Sequence, residues 1–131
     1  MSSSFRHKHL STRAAQALGW VAKTTGAVVP PIYPSVPYER DSAGRYPAGR
    51  TYTRDHNPTY DQAEALLADL EQGSAAMLFA SGMSSATTVF ETLDVGDHVI
   101  APQEMYWTIR GCLREMVGRG RLAVDFVANG D

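Results

Sequence analysis

The sequence predicts an α/β chain in which a parallel β-α-β-α-β unit follows an extended N-terminal arm. Three observations lead there. Short apolar runs recur at Ala75–Ala80, His98–Ala101 and Leu122–Val127, and the first is continuous, as in a strand covered on both faces. The stretches between them carry apolar residues at helical spacing, which argues for a parallel sheet with right-handed crossovers. Upstream, Pro30, Pro31, Pro34, Pro37 and Pro47 prevent regular interior elements in Val28–Tyr52.

The 131 residues suffice for one domain with a core, and 44% hydrophobic with 20% charged is ordinary for a globular chain. A formal net charge of −2 gives no footprint for nucleic acid or an anionic membrane. No apolar run approaches a membrane span, and Met1–Leu10 is polar and basic without the apolar centre of a secretory signal. Cys112 is the single cysteine, which excludes an internal disulfide and points to a reduced, cytoplasmic setting.

In chain order, Met1–Ser11 reads as a loose arm. Its His7-x-His9 spacing could ligate a metal, but no nearby carboxylate or cysteine completes a set, so no metal site is expected. Thr12–Trp20 reads as a short helix, capped by Thr12 and stopped by Gly19. The proline segment interleaves Tyr33, Tyr38, Tyr46 and Tyr52 with Arg40, Arg45 and Arg50; such an arm lies on its own domain or crosses to another subunit. Asn57 as N-cap and Pro58 at the first helical position open the next helix, with Thr59-x-x-Gln62 as a rival capping box. Tyr60, Ala63, Leu66, Leu67 and Leu70 form its apolar stripe, and Gly73 is its expected left-handed stop.

After the first strand, Ser84–Leu93 reads as a helix, with Met83, Ala86, Phe90 and Leu93 on one face and Val89 alongside. Asp94–Asp97 is a turn, and Pro102 closes the second strand. Tyr106–Val117 is a helix facing the core through Tyr106, Ile109, Leu113, Met116 and Val117, broken by Gly118 and Gly120. The last strand runs into a turn at Ala128–Asp131. The chain divides into an arm and interface segment, 1–58, and the start of an α/β domain, 59–131. It reads as the N-terminal part of a longer protein.

Candidate chemistry sits at the strand–glycine–helix junction Ser81-Gly82-Met83. The first amides of a helix lack intrahelical partners and favour an anion, and glycine lets a phosphate approach the backbone. The motif is unspecific alone. No Gly-x-Gly-x-x-Gly or Gly-x-x-x-x-Gly-Lys is present, and Phe79 and Met83 flank Ser81 where a nucleophile elbow needs glycines. Tyr52 and Arg54, two apart in an extended segment, would point to one side and could grip the same phosphate, or form a surface pair. Tyr106, beyond the second strand, stands at the carboxyl edge where ligands bind; it could stack on a planar ring or pack in the core.

Together, Tyr52-Thr53-Arg54-x-x-Asn57-Pro58-Thr59, Leu70-Glu71, Ser81-Gly82-Met83, Gly96-Asp97-His98-Val99 and Tyr106 resemble the Cys/Met-metabolism family of pyridoxal-phosphate enzymes. Thr25–Tyr33 is similar to that family's N-terminal arm, so the resemblance runs from about Thr12 onward. It implies the large α/β domain of type I pyridoxal-phosphate enzymes, here partial. It implies pyridoxal 5′-phosphate as cofactor, a small amino-acid substrate, and a homotetramer built of two dimers. Gly82 and Met83 would bind the cofactor phosphate through backbone amides, Tyr52 and Arg54 would reach the phosphate of a neighbouring subunit, and Tyr106 would stack on the pyridine ring and assist proton transfer. The implied activity is transsulfuration: β- or γ-elimination or γ-replacement, as in cystathionine γ-synthases, γ-lyases and β-lyases.

The departures are specific. The family's cofactor lysine lies downstream in Ser-x-Thr-Lys, and this chain holds only Lys8 and Lys23. Asp125 and Asp131 come too early for the aspartate that pairs with the pyridine nitrogen, and the late carboxylate-binding arginine is absent. The 131 residues alone are therefore expected to be inactive, and a non-catalytic remnant or interaction module is the alternative. Trp107 and Thr108 stand where many members have glycines. Cys112 is too far along for the cysteine of methionine γ-lyases and reads as a buried thiol. Asn57-Pro58-Thr59 leans towards the γ-synthase and γ-lyase branch.

Overall fold

The computed structural model describes residues 7–130. The chain forms two compact units, Met1–Leu78 and Phe79–Asp131. The helix over residues 58–70 packs on the N-terminal segment within the first of these units.

In the first unit, α1 spans Leu10–Ala15 and a 3-10 turn spans Ala17–Gly19. The cap is His9, whose ring accepts from the Ser11 amide, rather than Thr12. Leu10 and Ser11 thus belong to a helix and not to a loose arm; residues 1–6 of that expected arm lie outside the described residues. Helix α2 spans Pro58–Leu70 and starts as read: Asn57 caps it by accepting from the Thr59 amide at 2.8 Å. The rival box is not used, because Gln62 instead donates to the Ala17 carbonyl at 2.9 Å. An Arg13–Asp69 ion pair also ties α1 to α2.

The end of α2 corrects the expectation at Gly73. The left-handed residue is Gln72, at φ 56°. The Gln72 amide reaches the Asp69 carbonyl at 3.3 Å and the Gly73 amide reaches Ala68 at 2.8 Å, which is the paired closure of a Schellman end. The stripe of α2 is only partly covered: none of its residues is buried, and Leu67 is 39% exposed.

In the second unit, α3 spans Gly82–Glu91, β1 His98–Pro102, α4 Trp107–Gly118 and β2 Ala123–Val127. β1 and β2 pair in parallel, with His98 opposite Ala123 and Pro102 opposite Val127. α4 is the crossover between them, as the pattern requires. Alternation along the strands gives one sheet a covered face, Val99 and Ala101 with Val124 and Phe126, and an open face that includes Ile100 and Val127. Leu113, fully enclosed, and Met116 from α4 join Ala101 and Leu122 in the core. Burying a leucine in this way is worth about 1.5–3 kcal/mol. On α3, Met83, Ala86 and Phe90 are half-buried, as is Leu93 just beyond its end, whereas Val89, read alongside that face, is exposed.

Three expectations fail here. Ala75–Ala80 is not a paired strand among the described residues: Met77 is 69% exposed, and the Leu78 amide donates to the Glu64 carboxylate rather than to a neighbouring strand. An apolar run becomes a strand only when a ladder partner takes its N–H and C=O groups. The β-α-β-α-β pattern is therefore realised as α-β-α-β. Tyr106 and Val117 are exposed rather than core-facing. Cys112 is half-buried rather than enclosed.

Candidate functional site

Each unit carries part of the predicted site. In the second unit, Ser81 is the N-cap of α3, with extended backbone at φ −152° and ψ 152°. Its hydroxyl oxygen accepts from the Ser84 amide at 3.1 Å, and its carbonyl accepts from Ser85 at 3.1 Å. The Gly82 and Met83 amides, at the first two helical positions, have no acceptor among the described residues. They carry the positive end of the helix dipole. Nothing lies within 4 Å of where a Cβ on Gly82 would sit, so the space beside those amides is open. Two free amides, a capping hydroxyl and open space fit a phosphate group.

Tyr106 is the N-cap of α4, not its first core residue, and it is 58% exposed. Its ring lies 6.3 Å from that of Trp107, tilted by 55°. The loop before it is held by a residue that the sequence reading placed only in a turn. Asn129 accepts from the Glu104 amide and donates to the Glu104 carbonyl, both at 2.9 Å. The Gln103 amide also donates to the Val127 carbonyl at 2.7 Å, and Arg110 donates to the Gln103 carbonyl at 3.0 Å. This stretch follows the carboxyl end of β1, where α/β sheets bind ligands. An asparagine two residues past a strand was the available signal, and nothing in spacing gave it a partner.

In the first unit, the Arg54 guanidinium lies 5.1 Å from the Tyr52 ring centroid, a cation–π distance. The pair is on one side as read, but not because the segment is extended. Tyr52 makes an isolated bridge with Pro37, and the chain then turns, the Asp55 and His56 amides both donating to the Tyr52 carbonyl at 3.0 Å. Both side chains are exposed. Beneath them is Asn57, the one buried polar residue among those described. Besides capping α2, its side-chain NH2 donates to the Tyr33 carbonyl at 3.0 Å and to the Thr53 hydroxyl. The Tyr60 hydroxyl donates to the Thr53 carbonyl at 3.0 Å. Burial, and then the carboxylates of Asp61, Glu64 and Asp55, push the Tyr60 hydroxyl above its usual value and keep it a donor.

The arm lies partly on α2, where the Tyr33 amide donates to the Thr59 hydroxyl at 2.9 Å, yet Val28, Val29 and Ile32 are 69%, 72% and 82% exposed. A groove of about 940 Å³ between the 3-10 turn, the arm and α2 holds Lys23 and Trp20 but none of the predicted site residues. Among the described residues, no helix is long and apolar enough to cross a membrane.

The second unit thus presents two open amides at a glycine-led helix start, and the first unit presents an exposed Tyr/Arg pair. Residues 11–131 match the family described as Cys/Met metabolism PLP-dependent enzyme, and the chain belongs to that family. The family is pyridoxal-phosphate dependent. The chain is 39% identical over 101 residues to a cystathionine beta-lyase of Coxiella burnetii, covering 77% of this chain and 26% of that protein. It is 38% identical over 122 residues to a protein of Herpetosiphon aurantiacus named a probable cystathionine gamma-synthase, covering 92% of this chain and 38% of the other. Among solved structures, cystathionine gamma synthase from Xanthomonas oryzae pv. oryzae, in complex with cystathionine, superposes with a TM-score of 0.82 at 28% identity. That likeness covers 95% of this chain and 32% of the other. The chain therefore spans about a quarter to two fifths of the relatives it matches.

Proposed function

We propose that this chain is the N-terminal, phosphate-holding part of a pyridoxal-phosphate enzyme of sulfur amino-acid metabolism, of the cystathionine γ-synthase or lyase kind. The observation that carries the reading is the pair of unpartnered amides at Gly82 and Met83 beside open space. When bound, the cofactor supplies an electron sink for charge developing at the α-carbon of an amino acid. The amides of Gly82 and Met83 hold its phosphate, with the dipole of α3 behind them. Tyr52 and Arg54 add a phenol and a guanidinium to the phosphate of a neighbouring subunit. Tyr106 stacks on the cofactor ring and moves a proton at the substrate amine nitrogen. The exposed Val28, Val29 and Ile32 support an arm that reaches a second copy, in a homotetramer of two dimers. On this reading residues 1–58 form the arm and interface segment, residues 59–131 begin the cofactor domain, and the protein is cytoplasmic.

The test is cofactor affinity in the intact protein. Arg54→Ala is expected to weaken pyridoxal-phosphate binding about tenfold or more, the loss of a charge-assisted contact of about 1.5–3 kcal/mol. Unchanged affinity would refute the phosphate assignment.

A second reading follows from the exposed Val28, Val29 and Ile32 of the arm. On that reading the 131 residues are a non-catalytic module that pairs through its arm. Reading the frame past Asp131 separates the two. A continuation containing Ser-x-Thr-Lys supports the enzyme, and a stop supports the module.

A further inference from the structure

Thr53 lies between the two residues assigned above to the phosphate, and each of its polar groups has a partner within the first unit. Its amide donates to the Val36 carbonyl at 2.9 Å. Its hydroxyl accepts from the Asn57 side chain, and its carbonyl accepts from the Tyr60 hydroxyl at 3.0 Å. The neighbouring Tyr52 carbonyl takes two further amides, from Asp55 and His56. The backbone is pinned on both sides, while the Tyr52 and Arg54 side chains stand free on the surface.

Capping α2 needs only the Asn57 oxygen, and Ser, Thr or Asp would serve that end as well. The amide NH2 is what distinguishes asparagine here, and both of its donations leave the helix, to Tyr33 and to Thr53. Asn57 is 6% exposed, so those donations are made where water does not compete. Tyr60 sits one turn into α2 and adds a second anchor.

We propose that Asn57 and Tyr60 are positioning residues for anion binding. They use the rigid start of α2 to fix the Thr53 backbone, so that Tyr52 and Arg54 are presented together to one phosphate. This rests on the assignment of Tyr52 and Arg54 to a phosphate. Side chains held in advance lose less freedom on binding, which is the gain such support gives.

The test follows the Tyr52 ring signals by NMR while the whole chain is titrated with inorganic phosphate. The variants are Asn57→Ser, Tyr60→Phe and Arg54→Ala. Asn57→Ser keeps a neutral cap and removes only the outward donations, and Tyr60→Phe removes one hydroxyl, which keeps the test open if the first variant folds poorly. With helix content by circular dichroism unchanged, each is expected to raise the phosphate midpoint about three- to tenfold, the effect of losing its one hydrogen bond to Thr53. Arg54→Ala is expected to abolish the response. If Arg54→Ala abolishes it while Asn57→Ser and Tyr60→Phe titrate like the unsubstituted chain, the positioning role is wrong and the phosphate assignment stands. If Arg54→Ala leaves the response intact, the assignment falls and the positioning role with it.

Discussion

Helices α2 and α3 begin in opposite ways. Pro58 removes the first amide of α2, and Asn57 takes the Thr59 amide, so the first two positions of that helix offer an anion no free N–H. In α3 the cap reaches further in, to Ser84, and leaves Gly82 and Met83 open. The same device, a polar N-cap, takes the second amide of one helix and the third of the other. In α2 the cap residue spends its remaining groups on the chain around it, at Tyr33 and Thr53. In α3 the cap is exposed and bonds only within its own turn. One start is tied into the surrounding chain, and the other leaves its first two amides without an acceptor among the described residues.

Substitutions can break that contrast. The largest effect is expected at Asn57→Ala, which removes a cap and leaves the Tyr33 carbonyl and the Thr53 hydroxyl without their donor. A loss of about 1–3 kcal/mol is expected, read by urea unfolding, because cap and buried-group losses combine. A loss no greater than for Ser81→Ala would erase the difference between the two starts.

Next is Gly82→Ala. A Cβ there meets nothing within 4 Å and φ is ordinary, so stability is expected to rise by about 0.5–1 kcal/mol through helix propensity. The methyl group would stand in the open space beside the amides, so cofactor affinity is expected to fall at the same time. A parallel fall in both would mean that Gly82 serves packing.

The smallest effect is at the far end of α2. α4 closes on Gly120 at φ 68°, whereas α2 closes on Gln72 at φ 56°. Gln72→Gly relieves a left-handed non-glycine residue and is expected to raise stability by about 0.5 kcal/mol in thermal unfolding. A decrease would show that the Gln72 side chain contributes more than its backbone costs.

These regions also mark what the sequence could reveal. Asn57-Pro58 and the half-buried face of α3 were legible because capping and helical spacing are local. The helix start at Gly82 and the nearness of Arg54 to Tyr52 were legible for the same reason, although a turn rather than a strand brings that pair together. Ala75–Ala80 was misread because pairing depends on another segment, which local hydrophobicity does not report. The clamp of Asn129 on Glu104 joins residues on either side of a crossover, and Asn57 to Tyr33 joins a helix start to an arm. Both are polar contacts between distant segments, which no periodicity encodes. Gln72 took the place expected of Gly73 because either residue can stand at a helix end when the two closing hydrogen bonds offset the strain.

The most direct measurement is the backbone amide NMR spectrum of the intact protein titrated with pyridoxal 5′-phosphate. The amides of Gly82 and Met83 are expected to shift together and saturably, while Ser84, held by Ser81, and Thr59, held by Asn57, move little. Unmoved Gly82 and Met83 signals, or an equal response at Thr59, would contradict the assignment of the α3 start as the phosphate cradle.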